Sequence, residues 1–92
     1  MGDFAKSVDL SDKIAAICKP LISAPEHLSV KMTNDERKEQ AYLINCDEAD
    51  VGKLLGRHGI ISDSLRTIVN ISLRAYKKKA SLTFAAWPDK AN

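Results

Sequence analysis

The segment Gly56-Arg57-His58-Gly59 carries the residue types and the spacing best suited to chemistry in this chain. Glycine adopts positive φ without strain and lets another backbone approach closely. A helix that begins after Gly59 would offer unpaired N–H groups and the positive end of its dipole to an anion. Arg57 adds a planar guanidinium that fits phosphate oxygens, and Lys53, one turn earlier, could reach the same anion. The pattern therefore predicts a phosphate-binding loop.

Hydrophobic periodicity predicts the elements that come before this loop. Apolar residues recur at helical spacing from Leu10 to Leu21, and Pro20 ends or bends that first helix because proline lacks an N–H. Leu28, Val30 and Met32 then alternate with polar residues, and after a polar turn Tyr42, Ile44 and Cys46 alternate with Leu43 and Asn45. This alternation predicts two strands joined as a hairpin.

Two helices and a last strand are predicted to surround and follow the loop. Asp47 is a suitable cap for a helix that ends near Leu55, and a longer helix is expected over about residues 60–77. A strand over residues 82–87 is stopped by Pro88. The loop therefore lies between two helices, inside a strand-helix-helix-strand unit.

The element order α-β-β-α-α-β predicts an α+β fold. A strand, two helices and a further strand imply a right-handed crossover, so the second and third strands should be parallel and the first antiparallel at the side. Three helices would cover one face of a three-stranded mixed sheet. We expect one domain over residues 9–87, with a flexible N-terminal tail over residues 1–8 and a C-terminal tail over residues 88–92.

The context of the loop separates it from other phosphate-binding motifs. A P-loop requires Lys-Ser or Lys-Thr after its second glycine, and neither pair follows Gly59. The dinucleotide fingerprint opens a helix straight after a strand, whereas a helix precedes this loop. A G-x-x-G loop between two helices is typical of a KH domain, in which the loop clamps the nucleic-acid backbone.

Further residues extend this pattern to one family. The segment 52–59 (GKLLGRHG) and the later LRTIV, with Lys19-Pro20-Leu21, Pro25 and Asp50-Val51-Gly52-Lys53, resemble the KhpA family of small bacterial single-KH proteins of type II. The resemblance covers roughly residues 9–87. It implies RNA binding without catalysis or a cofactor, self-association, and pairing with the larger KH-containing protein KhpB. One departure is Ile60, which stands where the family usually has a basic residue and so removes one phosphate contact.

The predicted site consists of the loop and the residues beside it. His58 is expected to contact the RNA backbone through its N–H more than through its ring. In the family the base-binding groove lies between the loop-flanking helices and the sheet, which makes Leu54 and Leu55 candidates to line it; the alternative is that they belong to the core. The residues predicted to bind RNA are Lys53, Gly56, Arg57, His58, Gly59 and Ile60.

Charge and aromatic content bear on the ligand. The net charge is only +2, but residues 51–79 hold seven Lys or Arg and one acidic residue, Asp63. A basic segment on a nearly neutral chain suits a polyanion, although a solvated face explains it as well. The aromatic side chains look structural: Tyr42 and Phe84 fall on inward strand positions, and Tyr76 falls on the core side of its helix. Because few aromatic side chains are left to stack on bases, we expect the chain to bind single-stranded RNA with little preference for its base sequence.

The helix over residues 60–77 is apolar over more of its surface than one core contact requires. Its expected core stripe runs from Ile61 to Tyr76 and includes Ile68. Further apolar side chains extend the stripe sideways, and such a surface commonly meets a partner. We expect a homodimer, or a heterodimer with KhpB, in which Thr67, Ile68 and Ile71 lie at or near the contact.

Two functions remain open after these observations. The first is an RNA-binding module of low sequence specificity, acting as an RNA chaperone or a post-transcriptional regulator. The second is a protein-interaction module with a weakened nucleic-acid loop, which Ile60 favours. An enzyme is not expected, because no catalytic constellation, metal cluster or cofactor motif is present. Cys18 and Cys46 are expected to be buried thiols, and the chain, which lacks an apolar stretch long enough to span a membrane, is expected in the cytoplasm.

Overall fold

A computed structural model describes residues 8–87 and gives the predicted order of elements. The expected tails over residues 1–7 and 88–92 lie outside the described residues. Val8, assigned to the N-terminal tail, packs against the core. The helices and strands are α1 Ser11–Cys18, β1 Ser29–Asp35, β2 Glu39–Cys46, α2 Glu48–Leu55, α3 Ile60–Leu73 and β3 Lys79–Ala86.

The sheet is mixed, as predicted. Its strand order is β1-β2-β3, with β1 antiparallel and β3 parallel to the central strand β2. Alternate residues of β2 are buried because they face the helices, and this face carries Tyr42, Ile44 and Cys46. The resulting α+β fold confirms the predicted element order and strand pairing.

The helices supply the other half of a small core beside β2. Its fully buried members include Ile14 of α1, Leu54 of α2 and Leu73 of α3. Cys18 and Cys46 are buried and unbridged, as expected. Burial, with a smaller contribution from Cys46, raises the pKa of the Cys18 thiol to about 11, so it stays protonated and packs as a small apolar group.

The long helix ends earlier than predicted. α3 stops at Leu73, a 3-10 turn follows over Arg74–Tyr76, and Lys77 takes the left-handed conformation with φ 59°. Because the chain leaves the α-helical path, Tyr76 does not continue the core stripe and is 48% exposed. The prediction that Tyr76 packs inward was therefore wrong. Ile68, also assigned to that stripe, is 46% exposed.

One predicted cap works differently in the structure. Asp47 occupies the N-cap position of α2, but its side chain makes no capping hydrogen bond. Its carboxylate instead contacts Nδ1 of His27 at 3.0 Å, and this hydrogen bond raises the pKa of His27. The indole N–H of Trp87 donates to the His27 carbonyl oxygen at 2.5 Å. His27, which had no predicted role, thus ties the chain after α1 to α2 and to the end of β3.

Candidate functional site

The loop that joins α2 to α3 has a backbone that ordinary residues seldom adopt. Gly56 ends α2 with φ 75° and ψ 172°, and Gly59 precedes α3 with φ 75° and ψ 16°. Between them lies a single 3-10 turn in which His58 also has positive φ, at 58°. The N–H of Gly59 donates to the carbonyl oxygen of Gly56 at 3.1 Å, which closes the turn.

The two glycines are required for different reasons. A Cβ atom on Gly56 would lie 2.7 Å from Cγ1 and 2.9 Å from the backbone nitrogen of Ile61, distances at which atoms clash. The end of α2 therefore meets the first turn of α3 closely at this point. A Cβ atom on Gly59 would have Oγ of Ser62 at 3.7 Å as its nearest neighbour, so only the left-handed backbone favours glycine there.

The tip of the loop presents donors to solvent. The side chains of Arg57 and His58 are exposed. Within residues 8–87, neither the side chains nor the backbone N–H groups of these two residues have a hydrogen-bond partner. No side chain caps the start of α3, because the N-cap residue is Gly59, and the Ser62 hydroxyl donates to the Gly59 carbonyl oxygen. Two free N–H groups, a guanidinium and a helix N-terminus together suit an anion such as phosphate.

Lys53 is positioned by a buried carboxylate that the sequence argument missed. Its ammonium donates to the Ser23 hydroxyl and lies 3.4 Å from Oδ1 of Asp50. Asp50 is fully buried and accepts the N–H groups of Ser23 at 2.9 Å and Ala24 at 3.1 Å. These hydrogen bonds, that of Ser23 first, lower the pKa of the carboxyl group. An RNA contact by Lys53 stays a prediction, since part of its charge is already compensated.

The missed residue had a signal in the sequence. Asp50 lies four residues before Leu54, and residues at this spacing share one face of a helix. Because Leu54 belongs to the buried face, Asp50 does too, and a buried carboxylate requires donors. The donors come from the segment that follows α1, so Asp50 joins that segment to the helix that carries the loop.

The apolar residues beside the loop divide into core and surface. Leu54 is fully buried, which places it in the core, the alternative left open above, and Ile61 is half-buried. Leu55 is 38% exposed at the end of α2, and Ile60 is 62% exposed at the start of α3. Of the apolar residues beside the loop, Leu55 and Ile60 are therefore the exposed ones.

Two depressions adjoin the loop. An open one of about 470 Å³ is lined by Arg57, His58 and Ile60 together with Asp63, Ser64 and Thr67 of α3. A more apolar groove of about 320 Å³ lies between α1 and α3. Its lining consists of Ile17, Leu21, Ile60, Ile61, Ser64, Leu65 and Ile68.

The described residues also bear on metal binding and on membrane spanning. Across residues 8–87, no three His, Cys, Asp or Glu side chains are grouped so that they could hold a metal ion. None of the described helices combines the length and apolar character needed to cross a membrane.

Comparison with known proteins gives consistent matches. A family model described as KhpA/KhpB, KH domain matches residues 11–84, a span that contains the loop and both flanking helices. RNA-binding protein KhpA of Streptococcus pneumoniae is 41% identical over 69 residues, which cover 75% of this chain and 86% of that protein. RNA-binding protein KhpA of Treponema pallidum is 35% identical over 69 residues, covering 75% of this chain and 85% of that protein.

Proposed function

The chain belongs to the KhpA/KhpB KH-domain family, and we propose that it binds single-stranded RNA through the loop of residues 56–59. The observation that carries the proposal is the pair of unpartnered N–H groups of Arg57 and His58 at the start of α3. The similar proteins of Streptococcus pneumoniae and Treponema pallidum, both named RNA-binding protein KhpA, support RNA as the ligand.

In the proposed mode the loop clamps the sugar-phosphate backbone. Phosphate oxygens accept the N–H groups of Arg57 and His58, and the guanidinium of Arg57 adds a charge-assisted hydrogen bond. His58 and Gly59 both have positive φ, and successive N–H groups in such a turn can form a concave anion-binding site. Lys53 contributes a further charge from one turn earlier. The proposed mode is binding alone, without a chemical reaction on the RNA.

Base contacts in this mode are apolar and tolerant of sequence. Leu55 and Ile60 are the exposed apolar side chains that flank the loop. Aliphatic side chains contact any base without reading its hydrogen-bonding edge. The loop holds no Phe, Tyr or Trp for stacking, and the proposed mode uses His58 through its backbone N–H. Low sequence specificity fits an RNA chaperone or a post-transcriptional regulator that acts on many transcripts in the cytoplasm.

Titration of the chain with a fluorescent oligouridylate tests the proposal. Binding should weaken as salt rises, with a linear plot of log affinity against log salt and a slope of about −0.7 for each phosphate contacted. A duplex RNA of the same length is the control and should bind more weakly, since the clamp requires a single strand. A chain that fails to bind the single strand even at low salt would contradict RNA binding.

We also infer that the exposed face of α3 joins two copies of the chain, or this chain and KhpB. Ile60, Ile68 and Ile71 lie on this face at helical spacing, and the last two are 46% and 55% exposed. The hydroxyl groups on the same helix already have hydrogen-bond partners within α3, so a contact between two chains would not leave them unpaired. Those of Ser64, Thr67 and Ser72 each donate to the backbone carbonyl oxygen four residues earlier.

Ile71→Glu tests the shared surface. A buried unpaired carboxylate is costly, so the dimer should dissociate into monomers at micromolar concentration by multi-angle light scattering. Thr83→Glu, a change at an exposed position of β3 outside α3, should leave the oligomeric state unchanged. Should the wild type be monomeric, or should Ile71→Glu remain dimeric, a contact at Ile71 would be excluded. A dimeric chain that binds no RNA would favour the alternative function, a protein-interaction module.

A further inference from the structure

The C-terminal end of α3 carries a second concentration of positive charge, remote from the loop. Residues 74–79 contain Arg74, Lys77, Lys78 and Lys79 and no acidic residue. The neighbouring hairpin segment over residues 36–39 holds two acidic and two basic residues and adds no net charge. Asp35 is the acidic side chain that pairs with this segment, at 2.7 Å from Nζ of Lys78. The four basic residues and this one carboxylate leave a formal charge of +3.

Two of these charges are free to meet a ligand. Arg74 and Lys77 are exposed, and neither has an ion pair or side-chain hydrogen bond with any residue in the range 8–87. Both line an open depression of about 510 Å³ at the end of the helix, together with Asn70, Lys78, Lys79 and Ala80. A favourable interaction with the helix dipole accounts for basic residues in the last turn, but it falls off beyond the helix end, where Lys77 lies.

The backbone at Lys77 points to a reason for the charge. Lys77 has φ 59° and ψ 37°, and its N–H donates to the Arg74 carbonyl oxygen, which is the geometry that usually carries glycine just after a helix. A lysine in this conformation is strained where glycine is not. Lysine at position 77 therefore lowers the stability of the fold relative to glycine. An anionic ligand that binds the Lys77 ammonium would explain why lysine is found there.

The segment of residues 74–79, which we call the basic turn, is tied to the sheet and to α3. Oδ1 of Asn70 accepts the N–H of Ala80 at 2.9 Å, and its amide nitrogen donates to the carbonyl oxygens of Arg66 at 2.8 Å and Ala80 at 3.3 Å. These bonds tie the start of β3 to α3 and so fix both ends of the turn between them. The backbone from which the Arg74 and Lys77 side chains project is therefore anchored at both ends.

Three adjoining depressions lie along α3 between this turn and the loop. The depression beside the loop shares Asp63 and Thr67 with a second depression, and the second shares Asn70 and Arg74 with the one at the helix end. Ile71 also lines the second depression, so an RNA on this path borders the face proposed to join two chains. α3 has 14 residues, so the path is about 21 Å long at 1.5 Å per residue. An RNA held by the loop must therefore extend across about 21 Å to reach the segment of residues 74–79.

We propose that Arg74 and Lys77 form a second phosphate-binding site, which contacts the RNA backbone several nucleotides away from the stretch held by the loop. The proposal rests on the proposed RNA-binding function and adds a footprint longer than the loop alone requires. A short RNA held at the loop does not reach the basic turn. A longer RNA follows the path along α3 and engages both sites, so RNA length separates the two contacts.

The test compares Arg74→Gln/Lys77→Gly with wild type on oligouridylates of about four and about twelve nucleotides, the shorter matching the four nucleotides that a KH loop clamps. We expect unchanged affinity for the short RNA and a roughly tenfold loss for the long one, with a salt slope smaller by about 1.4 for two lost phosphate contacts. Glycine at position 77 removes the charge while relieving the backbone, so thermal stability should not fall.

The matched control is Lys13→Gln/Lys31→Gln, which removes the same charge at two exposed positions on α1 and β1. This control should bind both lengths as wild type does, and light scattering should show the same oligomeric state for all three proteins. Equal losses at both lengths, no loss at either, or an equal loss in the control would overturn the second site. A loss confined to the long RNA supports the second site. The loop clamp is tested separately by replacing Arg57 with aspartate: unchanged binding of the short RNA in that variant would refute the loop clamp and leave the second site standing.

Discussion

Replacing Arg57 and His58 together by aspartate is expected to weaken the binding of a four-nucleotide oligouridylate at least about a hundredfold, which is ~2.7 kcal/mol. The change removes the guanidinium and places two carboxylates beside the N–H groups that the phosphate would use. Like charges at this distance repel, and the repulsion acts whichever base the RNA carries. Fluorescence anisotropy of labelled RNA at low salt measures the loss.

The fold should survive this double replacement. Neither side chain makes a hydrogen bond or ion pair within the described part of the chain, and aspartate tolerates the left-handed conformation found at His58. Two negative charges before the N-terminus of α3 also interact favourably with the helix dipole. We therefore expect an unchanged or slightly higher Tm, so that loss of binding cannot be attributed to unfolding.

A control at the hairpin turn separates local from overall charge. Arg37→Asp/Lys38→Asp lowers the formal charge by four, against three for the loop change, at exposed positions between β1 and β2. Affinity for the short RNA should change little in this variant, because electrostatic contacts weaken with distance and with salt. If both variants lose binding equally, the loop has no special role.

Gly56→Ala is expected to destabilise the domain by about 3 kcal/mol or more, a large part of the stability of a domain this small. The new Cβ would meet Ile61 at 2.7 Å, and the backbone at φ 75° and ψ 172° is essentially restricted to glycine. The corresponding fall in Tm is at least about 12 °C, measured by circular dichroism.

Gly52→Ala is the matched control four residues earlier. Gly52 lies inside α2, and apart from its chain neighbours and the backbone of its own helix no atom is within 4 Å of the position that its Cβ would take. Alanine is the better helix former, so this variant should gain about 0.5–1 kcal/mol of stability. An unchanged Tm in Gly56→Ala would show that the close contact between α2 and α3 does not constrain the fold.

The order and pairing of the elements followed from the sequence because each has an unambiguous period. Every second residue from Tyr42 to Cys46 is apolar and the apolar spacing after Gly59 is helical, so the strand-helix-helix-strand order implied a crossover and a parallel pair. The two loop glycines were likewise recognisable. What the sequence did not show is why Gly56 differs from Gly59, since the contact with Ile61 exists only once α2 and α3 pack.

The differences arose where tertiary contacts override local pattern. Tyr76 fits the apolar period of α3, but the helix ends at Leu73 and leaves the ring exposed. Lys53 was predicted to contact an RNA phosphate, but its ammonium donates to the Ser23 hydroxyl and lies beside the Asp50 carboxylate. Asp47 suited a helix cap, but His27, distant in sequence, takes its carboxylate. Long-range partners of charged groups cannot be deduced from spacing along one element.

The central claim, that RNA is held by the loop of residues 56–59, is tested most directly by following backbone amide NMR signals during titration with the four-nucleotide oligouridylate. We expect the largest shifts at the N–H groups of Arg57 and His58 and at the first turn of α3, with smaller shifts near Leu55. Shifts confined to the strands, with the loop amides unmoved at saturation, would contradict the account.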